Sequence, residues 1–157
     1  MQFPQLNLPT FDFKIRLDNE SDKLQIFDII RKKYVVITPE EWVRQNFVHF
    51  LVLHKNYPAS LLKVERLLKV HKVTKRTDIL IHDTKGKPLL LVECKAPDIA
   101  INNVVFEQAL VYNIELKVPF LIATNGITHT TCKLDIATNS HTFLNEIPDY
   151  TSINNLL

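Results

Sequence analysis

R-T-D-I-L-I-H-D-T-K-G-K-P-L-L-L-V-E-C-K-A-P, residues 76–97, is the stretch that decides the fold. Asp78 opens a short apolar run, Ile79 to Ile81. The Asp83–Lys87 cluster that follows carries Asp and Gly, which tolerate the backbone angles of a reversal. Pro88 to Val92 is a second, more apolar run, and it ends in Glu93-Cys94-Lys95. Two such runs around a Gly-containing turn predict a β-hairpin. Strand alternation sets Glu93 and Lys95 on one face, about 7 Å apart, with Val92 and Cys94 on the other. The second run is apolar on both faces, the pattern of a central strand covered on both sides. A Glu and a Lys ending such a strand are close to desolvation, which is costly unless they are paired or bind a metal. The hairpin can fold Asp78 back toward Glu93. Two carboxylates and an ammonium would then converge at one sheet edge, a set suited to holding a hard divalent cation and positioning a water.

Asp78 followed by Glu93-x-Lys95 at the end of an apolar strand resembles the PD-(D/E)xK nuclease superfamily. Further segments occur in matching order: T-P-E-E-W-V-R-Q (Thr38–Gln45), K-R-T-D (Lys75–Asp78), L-V-E-C-K-A-P (Leu91–Pro97), Gln108-x-x-x-Tyr112 and A-T-N-G (Ala123–Gly126). Together they are similar to the N-terminal nuclease domain of type I restriction enzyme R (HsdR) subunits, including small stand-alone relatives, over roughly Phe27 to Tyr150. Thr77 stands where the superfamily's name has Pro, a position that carries no chemistry.

The resemblance implies an α/β (α+β) fold with a restriction-endonuclease-like core. Its central mixed sheet would be flanked by helices, with an N-terminal and a C-terminal β-hairpin. It also implies metal-dependent hydrolysis of DNA phosphodiester bonds, with Asp78, Glu93 and the backbone carbonyl of Cys94 ligating Mg²⁺, for which Mn²⁺ can substitute. Lys95 would orient or deprotonate the attacking water, Gln108 would hold Lys95 or a water, and Tyr112 would bind backbone phosphate, beside Lys75 and Arg76. The first core helix of the superfamily often lends an acid to the metal site. Glu41 is the candidate here, and Glu65 a second. For Glu41 a purely capping role stands equally beside that reading; for Glu65 the simpler reading is a surface carboxylate paired with a neighbouring lysine. Gln108 and Tyr112, four apart on one helix face, also fit a polar-tipped core edge. The competing class is a DNA-binding or subunit-assembly module that kept the fold without cutting. Partners implied are DNA and other restriction-modification subunits, and a homodimer is one arrangement that lets both strands be cut.

The whole chain sets bounds on these readings. Its 157 residues are 46% hydrophobic and 23% charged, ordinary values for one soluble globular domain with a single core. The expected domain is the whole of 1–157, with its core at about 27–150. A formal charge of +2 does not by itself argue for nucleic acid. Its distribution is more telling, because Lys63, Arg66, Lys69, Lys72, Lys75 and Arg76 face one acid, Glu65, on the way into Asp78. That run reads either as a solvated strand face and loop or as a phosphate-contacting flank. Arg31-Lys32-Lys33 reads as a solvated basic turn before it reads as a phosphate contact.

With only Gly86 and Gly126, neither G-x-x-x-x-G-K-[ST] nor G-x-G-x-x-G is present, so the expectation is a nuclease part without its translocase. Cys94 and Cys132 make no disulfide framework, no signal-peptide pattern or membrane-spanning run is seen, and a reducing cytoplasm is the expected compartment. The six histidines show no metal-ligand spacing.

Residues 1–10 read as an extended arm. Phe11, Phe13, Ile15 and Leu17 alternate with polar residues as in a half-buried strand, and Leu24 to Ile30 supplies its partner. Tyr34 to Ile37 is a further short β-prone segment. Thr38-Pro39-Glu40-Glu41 is a capping-box helix start, predicting a helix from Pro39 to about Leu53. A turn at Ala59–Leu62 precedes a strand near Val64–Val70. A second helix spans roughly Asn103–Leu116, capped by Asn102 or Asn103. Val118–Thr124 is a buried strand parallel to the Glu93 strand. Ile127–Asp135 and Ser140–Leu144 close the chain as a hairpin, and Asp149–Leu157 shows no clear pattern.

Overall fold

The computed structural model describes residues 3–70, 73–135, 137–138 and 140–157, without the side chains at 68–70, 73, 75, 104, 108, 109, 111, 112, 114 and 115. Two sheets are built from nine strands. β1 (Ile15–Asp18), β2 (Lys23–Asp28) and β3 (Lys33–Val36) form an antiparallel meander. β4 (Leu62–Val70), β5 (Val73–His82), β6 (Pro88–Cys94), β7 (Phe120–Thr124), β8 (His129–Asp135) and β9 (Ser140–Leu144) form a six-stranded mixed sheet in sequence order. Helix α1 (Pro39–Leu53) precedes that sheet, α2 (Asn103–Leu116) connects β6 to β7, and α3 (Tyr150–Asn155) follows β9.

Why β6 sits centrally follows from its composition. All of Leu89 to Cys94 is buried, so it must be covered on both faces. Leu90, Val92 and Cys94 pack with Val43, Phe47, Val48 and Leu51 of α1. Leu91 faces the other way, with Leu80 and Leu121, under Phe106, Leu110 and Leu116 of α2. Each such leucine contributes about 1.5–3 kcal/mol by leaving water. β6 and β7 pair in parallel, Leu90 with Phe120 through Cys94 with Thr124, so α2 is the crossover the order of elements requires. The β5–β6 hairpin closes as expected, with Asp83 Oδ1 accepting from the amides of Lys85 and Lys87. Gly86 takes φ +79° in the turn.

Three expectations change. Residues 11–14 are not strand, and β1 is short and exposed, Leu17 at 51%. Phe11 and Phe13 alternate because they pack as an arm against α1, where both meet His49 and Phe13 also meets Trp42. The N-terminal pair is in fact three strands, β3 lying against β2. The patternless C-terminus is a helix whose start Asp149 caps by accepting from Ser152 N–H, with Ile153 fully buried. One buried residue in six is too little periodicity to read in advance. The closing hairpin β8–β9 extends the main sheet as its edge.

The arm of residues 3–13 crosses α1 and reaches the β7–β8 turn. Phe3 stacks on Trp42, whose Nε1–H donates to the Pro4 carbonyl. Asn7 N–H donates to the Gly126 carbonyl at 2.7 Å. Gly126 adopts φ +82°, and a Cβ there would lie 2.8 Å from Leu6 Cδ2. Both facts call for glycine.

Candidate active site

At Asp78 strand β5 parts from both neighbours. Its ladder to β6 starts only at Ile79–Val92, and its ladder to β4 steps from Val64–Ile79 to Arg66–Thr77 without pairing Glu65. Glu65 takes φ +51° there, a left-handed conformation that non-glycine residues adopt at a cost and that clusters at functional sites. The Asp78 side chain does what a ladder carbonyl would have done. Its Oδ2 accepts from the Cys94 amide at 2.6 Å, and its Oδ1 from Arg44 Nη2 at 2.7 Å.

Glu93 and Lys95 stand at the end of β6, on the face opposite Val92 and Cys94. Lys95 Nζ donates to Glu93 Oε1 at 2.9 Å. Glu93 Oε2 is buried and has no hydrogen-bond partner among the described residues. Burial, and after it the charge of Asp78, push the Glu93 carboxyl up to about 7 against the pull of Lys95. Burial opposes the Lys95 ammonium, but the hydrogen bond and charge of Glu93 outweigh it and raise its pKa. The Asp78 and Glu93 charges therefore sense each other at one end of the sheet. A buried carboxylate oxygen with no donor, beside a second carboxylate, is a donor set that fits a small hard cation. Among the described residues no group of three or more His, Cys, Asp or Glu side chains is disposed to bind a metal. The set here is two carboxylates, with the backbone available for a third ligand.

Behind Asp78 lies an ion network that the sequence did not announce. Arg44, 4% exposed, donates to Glu40, Glu41 and Asp78. Burial works against its charge, yet Asp78 and then Glu41 hold it protonated more firmly than a free guanidinium. Arg31 reaches Asp28, Glu41 and Glu65. Gln45 Nε2 donates to Asp28 Oδ2 and Glu41 Oε1, each at 2.8 Å. Arg44 Nε and Gln45 Oε1 join Glu93 Oε2 as buried polar atoms without a partner among the described residues, so all such atoms gather around this site.

Glu41 is thus engaged by two guanidiniums and an amide. Its backbone N–H donates to Thr38 Oγ1, but its side chain does not return to the Thr38 amide, so only half of the expected capping box forms. Glu65 pairs with Arg31 and Arg76 rather than a lysine. Arg76 keeps 59% of its side chain exposed while bonded to Glu65. Lys75, Gln108 and Tyr112 lie outside the described residues as far as their side chains are concerned. From the sequence alone Arg44 has no assigned role; the one signal for it is its spacing from Glu40 and Glu41, four and three residues on, along a helix otherwise carrying Val43, Phe47 and Val48 inward. Asp28 gave no such signal.

The A-T-N-G segment forms the turn after β7. Asn125 Oδ1 accepts from the amides of Ile127 and Thr128, and its Nδ2 donates to the Ile99 carbonyl. This fixes the loop after Lys95 against the loop after β7, and Lys95 N–H donates to the Thr124 carbonyl at 2.8 Å.

Residues 39–148 match the family described as type I restriction enzyme R protein N terminus (HSDR_N). The chain belongs to this family. The HSDR_N match runs from the first residue of α1 to just before α3, and so takes in Arg44, Asp78, Glu93, Lys95 and the Asn125 turn. Among solved structures, the fragment of a putative HsdR subunit of a type I restriction enzyme from Vibrio vulnificus YJ016 is similar, at 18% identity and a TM-score of 0.48. That likeness covers 71% of this chain and 24% of the HsdR chain. A comparison with the curated proteins found no match. No helix among the described residues is long and apolar enough to cross a membrane.

Proposed function

We propose that this HSDR_N chain is a metal-dependent nuclease that hydrolyses DNA phosphodiester bonds. The observation that carries the reading is Glu93. Its Oε2 is buried without a partner, its carboxyl is raised to about 7 by burial and by Asp78, and Lys95 is bonded to its other oxygen. Perturbed carboxylates of this kind gather at functional sites.

Asp78, Glu93 and the Cys94 carbonyl would hold Mg²⁺, or Mn²⁺ in its place, and the bound ion would acidify a water and offset charge on the scissile phosphate. Asp78 is presented at the fork of β5 by the Cys94 amide and Arg44. Glu93 gives up its proton to ionise near neutrality. Lys95 stays charged through its bond to Glu93 and offers N–H donors to a phosphate or to the attacking water. Gln108 and Tyr112 are assigned to orienting Lys95 or a water and to backbone phosphate, and Lys75 and Arg76 to the flanking backbone. DNA and other restriction-modification subunits are the partners this reading assigns.

The test is cleavage of supercoiled plasmid and of single-stranded DNA with Mg²⁺, Mn²⁺ or chelator, by the wild type and by Lys95→Ala. Metal-dependent cutting that disappears in Lys95→Ala is expected. Cutting that persists in chelator, or at the wild-type rate in Lys95→Ala, removes the reading. A second reading, a DNA-binding or assembly module that does not cut, draws on Asp78, both of whose oxygens are already engaged by protein donors. Calorimetry separates the two, since that reading expects no Mg²⁺ or Mn²⁺ binding that Glu93→Ala weakens.

A further inference from the structure

The basic run 31–33 meets in space the start of the second run, Lys63 to Arg66 of Lys63–Arg76. Arg31 and Lys32 from the β2–β3 turn, and Lys63 and Arg66 from β4, line one cleft of about 760 Å³ floored by Ile30 and Val64. Among the described residues no acidic one lines it. Arg31 is turned inward and neutralised by Asp28, Glu41 and Glu65. Lys32, Lys63 and Arg66 are exposed, and among the described residues none has an ion-pair partner. Arg66 Nη1 instead donates to His82 Nε2 at 3.2 Å, with His82 Nδ1 toward the Leu61 carbonyl. A second depression of about 290 Å³ shares Ser60, Lys63 and Arg66 and continues to His82 and Gly86. Among the described residues its one carboxylate is Asp83, whose Oδ1 accepts from the turn amides of Lys85 and Lys87. The track is therefore cationic, elongated and partly apolar.

From this geometry we infer that the cleft along β4 binds the sugar–phosphate backbone of DNA, with Lys32, Lys63 and Arg66 as phosphate contacts; the inference rests on the nuclease reading above and extends it. A lone small anion would not use the apolar floor or the length. A polyanion does, with deoxyriboses over Ile30 and Val64 and phosphates on the cations. Position supports it too. Arg31 links the wall of the cleft to Glu65, and Glu65 sits opposite Asp78 in the β4–β5 register. A strand held in the cleft thus runs toward the carboxylates.

The test is fluorescence anisotropy of a short labelled DNA duplex in chelator, over a series of salt concentrations. It compares wild type, the cleft triple Lys32→Gln/Lys63→Gln/Arg66→Gln, and a control triple of equal charge change, Lys14→Gln/Lys23→Gln/Lys117→Gln, none of which lines the cleft. Losing three phosphate contacts should weaken binding roughly tenfold or more near physiological salt and lower the slope of log affinity against log salt by about 2–3. The control should move neither by much. Equal losses in both triples, or an unchanged slope in the cleft triple, overturn the inference. Plasmid cleavage by the wild type separates the two ideas. Cutting together with unaltered binding by the cleft triple removes the cleft alone, whereas a wild type that neither cuts nor binds removes the nuclease reading and the cleft with it.

Discussion

Arg44 Nη2 donates to Asp78 Oδ1 at 2.7 Å, tying helix α1 to the strand that carries the first candidate ligand. The same guanidinium is bonded to Glu40 and Glu41. A buried pair of this kind adds little relative to an apolar replacement, but removing one partner strands the others. The sheet end and the helix are therefore set by one side chain.

Arg44→Ala should lose about 3–5 kcal/mol of stability, because it leaves Asp78 buried without its cation and Glu41 with Arg31 alone. Arg44→Lys keeps the charge but not the planar fork that spans three carboxylates, and should recover less than half of that loss. Urea denaturation measures both; a cost below about 1 kcal/mol for Arg44→Ala would show that the network bears no weight.

Lys95→Ala should cut the rate of DNA cleavage by roughly 10²-fold or more with little change in melting temperature. At Asp78 the choice of replacement matters. Asp78→Ala leaves the Cys94 amide without its acceptor, at about 1–3 kcal/mol, whereas Asp78→Asn retains an acceptor oxygen. Both should abolish cleavage and both should lower the melting temperature by stranding Arg44, the alanine further because it also strands the Cys94 amide. Equal melting temperatures would mean that the Asp78–Cys94 bond contributes nothing.

Glu93 makes the folded protein prefer low pH locally. Its folded value of about 7 lies above the ordinary 4.5, so the native state binds the proton more tightly than the unfolded chain. Its contribution is full below about 4.5 and is lost as pH rises to about 7, up to roughly 3 kcal/mol in all. Glu93→Gln removes the titration while keeping an acceptor for Lys95. The variant should be more stable than wild type at pH 8, by about 1–3 kcal/mol, and little different at pH 4. Chemical denaturation at the two pH values decides it, and an identical difference at both would contradict the assignment.

Gly126→Ala should cost about 1–2 kcal/mol, from a side chain at φ +82° and a Cβ 2.8 Å from Leu6. Adding Leu6→Ala relieves the contact but not the backbone, so thermal melts of the double variant should recover only part. Full recovery would assign the whole cost to the arm.

Much of this was legible in the sequence where a residue's surroundings are local. The α1 start was marked by Thr38-Pro39, the hairpin by Gly86, and the parallel crossover by two apolar strands flanking a helix. Glu93-x-Lys95 announced its own pairing, since alternation alone puts both on one face. Arg44 and Asp28 were not legible in the same way, because beyond their neighbours in sequence Arg44 meets Asp78 and Asp28 meets Gln45, partners on other elements that only packing brings together. The same limit hid the cleft. Arg31, Lys32 and Lys33 form one basic run, yet Arg31 turns inward to three carboxylates and Lys32 outward to the cleft, a division that depends on where β4 lies. Phe11 and Phe13 misled for a related reason: alternation records that two side chains share a covering surface, and here that surface is a helix.

Helix α1 is enclosed from three directions. The sheet covers Val43, Phe47 and Leu51; the arm covers Trp42 and His49; and the β2–β3 turn grips Glu41 and Gln45 through Arg31 and Asp28. Such a rod cannot roll about its own axis without breaking one of the three. The azimuth of Arg44 is thereby fixed from outside the site, and aromatic residues on a strap near the start of the chain set the aim of a guanidinium at the sheet's far end.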